Sequence, residues 1–468
     1  MVIVRPKNQN QKEAIVLKEI INENASEEMT LEKEKEETPN NKETTEVEYG
    51  VCIDIGTTTI VLYLWDLLQK ELIATITATN PQTTYGADVM MRIMHAGRGL
   101  AEKLQQMVFD CIEEMLDEIV AKEKLSEWKD ANLKKMMIVG NTTMCHLFLG
   151  KSVEGLAGAP FTPAYQGNYQ CLGKEINWNR FAEATVTVLS GIAAHVGSDA
   201  LAVAGMLDLG EKNRIELAID LGTNAEMILN HRGRLFCCSA AAGPALEGKG
   251  IACGMRGEEG AIAGVKFAPG TGNMILETIG GAAPKGICGT GLIDLLYELK
   301  RNGFISTEGY LLSKEEAEEK SGSTLVECLC RVQEENSFTL FREETGKEIY
   351  LEQKGIRQIQ LMKGAIYGGI KCLLKHANLE LAQIDCLYVA GTFGSNLSLK
   401  HAINIGLLPE LPIEKISLVG NCAGKGGSKA LLSDTFCQKL EKSAKKIEHI
   451  ELAEDEYFQK EFLRGMNF

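Results

Sequence analysis

One pattern occurs twice in this chain: an apolar run ends in Asp, an aliphatic residue, Gly and Thr, and a second apolar run follows at once. The copies are VCIDIGTTTIVLYLWD at residues 51–66 and RIELAIDLGTNAEMIL at residues 214–229. Alternating apolar residues predict β-strands, and a glycine between two strands predicts a tight hairpin turn. A repeated unit of this kind predicts two lobes of similar fold.

The chain has 468 residues, which is long enough for two such lobes. Strand-like runs alternate with amphipathic helical stretches along the chain, so we predict an α/β fold. We place lobe I at residues 49–210 and lobe II at residues 211–468. Residues 1–48 are dominated by Glu, Lys, Asn and Thr. Such a composition predicts an acidic disordered tail or linker, because it offers little apolar surface to bury.

The net charge and the cysteine pattern limit which partners and which cellular compartment we expect. A net charge of -15 is unfavourable for binding nucleic acid or an anionic membrane surface. The sequence shows no secretion signal and no apolar run long enough to span a bilayer. Its 14 cysteines contain no C-x-x-C spacing, which is typical of reduced, buried thiols. We therefore predict a cytoplasmic protein whose partners are neither nucleic acid nor membrane.

Both Asp-x-Gly-Thr turns are candidate phosphate sites. Glycine lets backbone N–H groups approach an anion closely, and neighbouring hydroxyls add hydrogen-bond donors. An Asp at the end of the preceding strand can hold Mg²⁺ or its waters. One copy is weak evidence, but two copies, one in each lobe, predict a clamp on the phosphates of one nucleotide. The candidate phosphate contacts are Gly56, Thr57, Thr58, Thr59, Gly222, Thr223 and Asn224.

Two further glycine segments are candidate parts of the same site. Gly391, Thr392 and Gly394 follow a buried strand, and open α/β sheets bind ligands at such strand ends. A simple strand-to-helix turn explains this segment equally well. Gly289 and Gly291 lie at a helix start, where free N–H groups suit anions or ribose oxygens. The sequence supports neither a Rossmann motif nor a P-loop.

In chain order, DIGTTT, DLGTNAE and VAGTFG resemble the two phosphate motifs and the adenosine motif of the actin, sugar-kinase and heat-shock-chaperone ATPase superfamily. That resemblance implies a two-lobed, ribonuclease-H-like fold with the nucleotide in the cleft between the lobes. GADVMMRI, VGNTTMCHLFLG and CSAAAGPALEGKGIACGMRGEEGAI are similar to segments of a narrower family. This narrower family comprises the reductive activators of corrinoid-dependent enzymes, and the similar segments belong to their C-terminal ATPase domain. The similarity runs from Tyr49 to the C-terminus.

The resemblance implies an ATP-dependent, homodimeric enzyme that activates a corrinoid protein or corrinoid-dependent methyltransferase by returning Co(II) to Co(I). It implies that Asp54 and Asp220 hold Mg²⁺ through water. The implied nucleotide contacts are the two turns, Gly391, Thr392 and Gly394 at the adenosine, Gly289 and Gly291, and Asn141 and Thr142 at the border of the cleft.

ATP hydrolysis also needs a group that orients the attacking water. Asp199, near the start of a helix, is our candidate, and Glu226 is the alternative. A helix N-cap would explain Asp199 without catalysis. Lys363, on a glycine-containing helix, is expected to be solvated rather than to reach adenine or ribose.

The sequence departs from the family in its cysteines. Members usually carry an N-terminal iron–sulfur domain, whereas residues 1–48 contain no cysteine. We therefore expect no intrinsic iron–sulfur cluster and a separate, ferredoxin-like electron donor. Cys238 lies in FCCSAAAGPALEG, which resembles the cluster-binding segment of 2-hydroxyacyl-CoA dehydratase activators. A small buried thiol is the favoured interpretation of Cys238, because no matching cysteine precedes the second phosphate motif.

Two other functions remain open on the same fold. A small-molecule kinase would transfer the γ-phosphoryl group and would need a carboxylate base beside a polar pocket. The first lobe offers only Asp199 for that role. A nucleotide-dependent cofactor-exchange chaperone is the third interpretation, and the two complete phosphate motifs count against it.

Overall fold

The computed structural model describes residues 2–7, 47–268, 272–320, 323–343, 346–391 and 397–468. They divide into two compact units. Of the described residues, the first unit contains those within 47–211 and 421–449, and the second unit contains those within 2–7, 212–420 and 450–468. No helix in this described part of the chain has both the length and the apolar composition that a membrane crossing requires.

The strands of the described residues, in chain order, are β1 (Val2–Lys7), β2 (Tyr49–Ile55), β3 (Thr59–Asp66), β4 (Glu71–Thr79), β5 (Leu133–Gly140), β6 (Tyr169–Leu172), β7 (Thr185–Val188), β8 (Ile215–Leu221), β9 (Ala225–His231), β10 (Arg234–Ala240), β11 (Ala261–Ala268), β12 (Asn273–Ile279), β13 (Gly286–Ile287), β14 (Leu329–Val332), β15 (Glu335–Arg342), β16 (Glu348–Glu352), β17 (Cys386–Ala390), β18 (Ile416–Gly420) and β19 (Glu448–His449). The α-helices are Val89–His95, Ala101–Lys122, Thr142–Phe148, Ser198–Met206, Gly289–Arg301, Lys314–Lys320, Gln353–His376, Leu399–Asn404, Cys422–Leu432, Asp434–Ala444 and Glu456–Gly465.

A six-stranded sheet of order β4-β3-β2-β5-β7-β6 forms the centre of the first unit. β2, β3 and β4 are antiparallel neighbours, whereas β5 lies parallel to β2 and β7 lies parallel to β5. β2 is buried along its length except at Asp54, which is half-buried. A central strand that is covered on both faces is usually apolar along almost its whole length, so an acidic residue within it is unusual.

The second unit repeats this order over five strands, while its sixth strand, β19, lies beside β10. β10, β9 and β8 are antiparallel neighbours, and β17 and β18 continue the sheet as parallel strands. Asp220 is the second-last residue of β8, as Asp54 is of β2. Two smaller sheets, β1-β12-β11-β13 and β14-β15-β16, complete the unit's strands among the described residues. The predicted α/β fold is confirmed.

The chain start corrects one prediction. β1 pairs in parallel with β12, from Val2 opposite Met274 to Lys7 opposite Ile279. The predicted acidic tail of residues 1–48 is therefore wrong for Val2–Lys7. These side chains are mostly exposed, so backbone pairing along the edge of β12 places the strand, and composition alone does not reveal such pairing.

Residues 421–449 pack in the first unit, although the sequence division assigned them to lobe II. Three glycines of the helix Cys422–Leu432 explain this packing. A Cβ on Gly424 would lie 2.4 Å from Tyr63, one on Gly426 would lie 2.3 Å from the Ala202 carbonyl oxygen, and one on Gly427 would lie 2.6 Å from Cys52 Sγ. The helix thus lies directly against β2, β3 and the helix Ser198–Met206.

Lys363 lies on the helix Gln353–His376 and is fully buried. Its Nζ donates to the carbonyl oxygen of Asn467 and lies 4.5 Å from the centre of the Phe468 ring. Burial, together with the charge of Lys300, lowers the pKa of Lys363 to about 7. The expectation that Lys363 is solvated is therefore wrong, because the last residues of the chain cover it.

Candidate functional site

Asp54 and Asn421 form the innermost contact at the first motif. Asn421 Nδ2 donates to Asp54 Oδ2 at 3.0 Å, while Asn421 Oδ1 accepts from the Gly424 N–H at 2.9 Å and so begins the helix Cys422–Leu432. Burial, and then the negative charge of Asp199, raise the pKa of Asp54, and the hydrogen bond from Asn421 opposes them. A half-buried carboxylate in such an environment gains from a nearby cation.

Asp199 lies in the first turn of the helix Ser198–Met206, whose N-cap is Gly197. Its Oδ1 accepts from the Ala200 N–H at 2.8 Å. Burial raises the pKa of Asp199, and backbone hydrogen bonds act against it. The charge of Asp199 acts on Asp54, so the structure brings these two predicted carboxylates into one electrostatic environment.

Thr57 and Asn141 are also brought together. Asn141 Nδ2 donates to Thr57 Oγ1 at 2.9 Å, and Asn141 Oδ1 accepts from the Met144 N–H at 3.0 Å, which starts the helix Thr142–Phe148. Thr142 lies beside this pair, but its Oγ1 donates to the Ala193 carbonyl oxygen at 2.7 Å. The structure therefore gives Thr142 a structural hydrogen bond.

The carbonyl groups of the first turn are held by two side chains that the sequence analysis did not select. Asn80 Nδ2 donates to the Gly56 carbonyl oxygen at 2.8 Å, and Arg92 Nη2 donates to that of Thr57. Because C=O and N–H point in opposite directions across a trans peptide, these bonds direct the N–H groups of Thr57 and Thr58 to the other side of the turn. GADVMMRI, which contains Arg92, was the available signal.

Arg92 is fully buried and also contacts Gln82, with 3.2 Å between Nη1 and Oε1. Met90, Met91 and Met94, its neighbours in sequence on the same short helix, are exposed. A cation at this depth is rare unless it is hydrogen-bonded, so its role is to fix the turn.

The second turn has a comparable frame. The Gly222 N–H donates to the Asn224 carbonyl oxygen at 3.0 Å, and the Gly243 N–H donates to that of Thr223 at 2.7 Å. Thr223 Oγ1 donates to Glu247 Oε1 at 3.0 Å. Glu247 is a residue that the sequence analysis missed, although the segment AGPALEG was singled out. Its Oε2 is buried and has no hydrogen-bond partner among the described residues.

Gly391 lies against the same motif. Its φ is +106°, and a Cβ there would lie 2.5 Å from the Leu221 carbonyl oxygen and 3.2 Å from Asp220 Oδ1. Only glycine fits this place without displacing the acid. Thr392 and Gly394 of the predicted adenosine motif lie outside the described residues.

Gly289 and Gly291 have a packing explanation. A Cβ on Gly289 would lie 2.4 Å from the Leu246 carbonyl oxygen, and one on Gly291 would lie 2.2 Å from that of Ile262. The missing side chains let the helix Gly289–Arg301 touch neighbouring backbone. Their predicted contact with nucleotide stays a prediction.

Glu226 and Cys238 lie on the strands that follow the second turn. Glu226 pairs with Asp220 across β8 and β9, and its Oε1 accepts from Ser239 Oγ at 3.3 Å. Cys238 is buried on β10 with its Sγ 3.8 Å from the Gly369 carbonyl oxygen, and burial raises the pKa of this thiol. Within the described ranges, no three His, Cys, Asp or Glu side chains are grouped so as to hold a metal.

Comparison with known proteins identifies the family. The family model described as the RACo middle region matches residues 49–212, and the one described as the C-terminal domain of RACo, the ASKHA domain, matches residues 214–468. This chain belongs to the family of reductive activators of corrinoid-dependent enzymes. The resemblance inferred from the motifs is thus confirmed, and with it the actin-like and sugar-kinase-like ATPase fold.

Individual members of this activator family are similar to this chain over most of its length. The corrinoid activation enzyme RamQ of Eubacterium limosum is 33% identical over 429 residues, covering 90% of this chain and 70% of that protein. The [Co(II) methylated amine-specific corrinoid protein] reductase of Methanosarcina barkeri is 24% identical over 456 residues, covering 90% and 77%. A solved reductive activator for corrinoid, iron-sulfur protein has 33% identity and a TM-score of 0.82, covering 91% of this chain and 67% of its own.

Proposed function

We propose that this protein is an Mg²⁺-dependent ATPase that activates a corrinoid methyl-transfer protein by driving reduction of Co(II) to Co(I). The observation that carries the proposal is the pair of Asp-x-Gly-Thr turns at the same place in two sheets that share the order of five strands, in a member of the activator family. Such turns offer backbone N–H groups and hydroxyls to phosphate.

The residues at the first motif fit a magnesium ion. Mg²⁺ is usually held by one or two carboxylates together with waters and nucleotide phosphates. Asp54 meets this need, because burial and repulsion from Asp199 raise its pKa and a cation would relieve both effects. In our proposal Asp54 and Asp220 would hold the ion through water. When bound, Mg²⁺ neutralises phosphate charge and makes the terminal phosphate easier to attack.

The chain's own residues then have distinct tasks. Asn421 holds one oxygen of Asp54, and Arg92 and Asn80 fix the turn whose N–H groups would face the phosphates. Asp199 would accept the hydrogen bond that orients the attacking water. Gly391, Thr392 and Gly394 would line the adenosine.

ATP is needed because Co(I) is difficult to reach with cellular electron donors. Binding or hydrolysis of ATP shifts the conformation of the complex, and this shift supplies the coupling free energy. We propose a separate, ferredoxin-like electron donor. We also propose a cytoplasmic homodimer.

Turnover of ATP by the purified chain, with and without a Co(II) corrinoid protein and a low-potential reductant, tests this function. We expect the corrinoid protein to stimulate ATP hydrolysis and the visible spectrum of Co(I) to appear. Asp54→Ala and Asp220→Ala should each abolish turnover without unfolding the protein. ADP formation that depends on a sugar or an organic acid instead would assign the chain to the small-molecule kinases.

A further inference from the structure

The two threonine hydroxyls of the paired motifs make opposite hydrogen bonds. Thr57 Oγ1 accepts from Asn141 Nδ2 at 2.9 Å, and an amide nitrogen can only donate. Thr223 Oγ1 donates to Glu247 Oε1 at 3.0 Å, and an ionised carboxylate can only accept. The hydroxyl proton of Thr57 therefore stays available for a phosphate oxygen. The proton of Thr223 is used by Glu247, so toward a ligand this hydroxyl can act only as an acceptor, which suits a cation or a cation's water.

Glu247 binds Thr223 with only one of its two carboxylate oxygens. Its Oε2 is buried without a hydrogen-bond partner among the described residues. A buried carboxylate oxygen without a partner carries a desolvation cost, and such a group calls for an explanation. A nearby cation removes that cost, so the orphaned oxygen and the orientation of the Thr223 hydroxyl point to the same ligand.

We infer that Glu247 is a positioning residue, which holds Thr223 as an acceptor so that the second motif faces the cation of a metal–nucleotide complex. In the first motif Asp54 faces the cation, whereas the Thr57 hydroxyl donates to a phosphate oxygen. The inference rests on the proposed binding of Mg-ATP and adds to it a division of labour between the two threonine hydroxyls. Glu247 acts through Thr223, in the way that outer-shell partners of metal ligands do.

Binding measurements on the full chain test this role without relying on turnover. Mn²⁺ binding is followed by electron paramagnetic resonance at saturating non-hydrolysable ATP analogue, and metal-free nucleotide binding is followed with fluorescent ATP in EDTA. We expect Glu247→Ala to weaken Mn²⁺ binding by about 10-fold or more. Metal-free nucleotide binding should change by less than about twofold.

Glu258→Ala is the matched control, because it removes the same charge from an exposed site in the same unit. It should leave both affinities unchanged. Unaltered Mn²⁺ binding in Glu247→Ala, or an equal loss of both affinities, overturns the inference.

Substitutions of the threonines keep the test decisive if Glu247→Ala fails to fold. Thr223→Ser keeps the hydroxyl and should bind Mn²⁺ as the unmodified chain does, whereas Thr223→Val should reproduce the loss expected for Glu247→Ala. Thr57→Val should show the opposite result, with weaker metal-free nucleotide binding and unchanged Mn²⁺ binding. Equal effects of the two valine variants contradict the division of labour. An unmodified chain that binds neither nucleotide nor Mn²⁺ refutes the proposed function instead.

Discussion

Asn421 Nδ2 donates a 3.0 Å hydrogen bond to Asp54 Oδ2, although 367 positions separate the two residues in the chain. The same side chain begins the helix Cys422–Leu432 through the Gly424 N–H. One amide therefore serves both the helix start and the carboxylate of the first motif. It leaves Asp54 Oδ1 as the oxygen that can face a cation or its waters.

Asn421→Ala should lower ATP turnover by at least about 10-fold, because Asp54 loses the group that fixes its orientation. The free energy of unfolding should fall by only about 1 kcal/mol, as expected for a lost helix cap. Ser433→Ala is the matched control, since Ser433 caps the helix Asp434–Ala444 through the Phe436 N–H. It should cost similar stability and no activity. Equal turnover in the two variants would show that Asn421 only caps its helix.

Asp199→Asn separates the water-orienting role of Asp199 from its bond to the helix start. The amide oxygen of Asn can still accept from the Ala200 N–H, so the free energy of unfolding should change by less than about 0.5 kcal/mol. Turnover should fall about 100-fold, because the amide nitrogen that replaces the second carboxylate oxygen cannot accept a hydrogen bond from the water. Chemical denaturation and a coupled ATPase assay measure the two effects. Full activity in Asp199→Asn would leave Asp199 with a structural role and return attention to Glu226.

Arg92→Met replaces a buried guanidinium with an apolar side chain. It removes the hydrogen bonds to the Thr57 carbonyl oxygen and to Gln82, so the free energy of unfolding should fall by roughly 2 to 3 kcal/mol. Nucleotide binding should also weaken, because the first turn is no longer fixed. Thermal melting and titration with fluorescent ATP report both changes. Arg98→Met, at a nearby exposed position, should alter neither, and a binding defect in that variant would contradict the assignment to Arg92.

Lys363 predicts a pH dependence of stability. Its pKa is about 7 in the folded chain and near its ordinary, much higher value in the unfolded chain. Between these values the unfolded chain binds one more proton, so this group's contribution to stability rises with pH above about 7 and is smallest below it. Lys363→Met should remove the rise, which is on the order of 3 kcal/mol. Urea unfolding at several pH values measures it.

Lys354→Met, at an exposed position on the same helix, serves as the control for Lys363→Met. It should keep the pH dependence of the unmodified chain. An unchanged slope in Lys363→Met would mean that Lys363 stays protonated in the folded protein despite its burial.

Local sequence was enough to predict the two Asp-x-Gly-Thr turns and the strands that precede them. A strand covered on both faces must be apolar, so Asp54 and Asp220, each second-last in such a strand, were visible without a structure. The repeat of the unit was visible for the same reason, and five strands of the two sheets have the same order. Gly391 was found because it follows a buried strand.

Contacts between distant residues could not be predicted in this way. Arg92 is an ordinary residue of an amphipathic stretch until folding buries it against Thr57. Glu247 has the appearance of a surface acid until Thr223 donates to it. Lys363 was expected in solvent, since a single sequence does not show that the C-terminal residues cover it. In each case the partner lies in another part of the chain.

The sequence by itself determined the α/β class, the doubled Asp-x-Gly-Thr turn and the activator family, because these depend on residue order within short segments. Tertiary structure decided which groups orient those turns, where Val2–Lys7 pairs, and that residues 421–449 pack in the first unit. The physical reason is that hydrogen-bond direction and burial depend on three-dimensional neighbours. Asn421 becomes the partner of Asp54 only when Gly424 and Gly427 let its helix lie against β3 and β2.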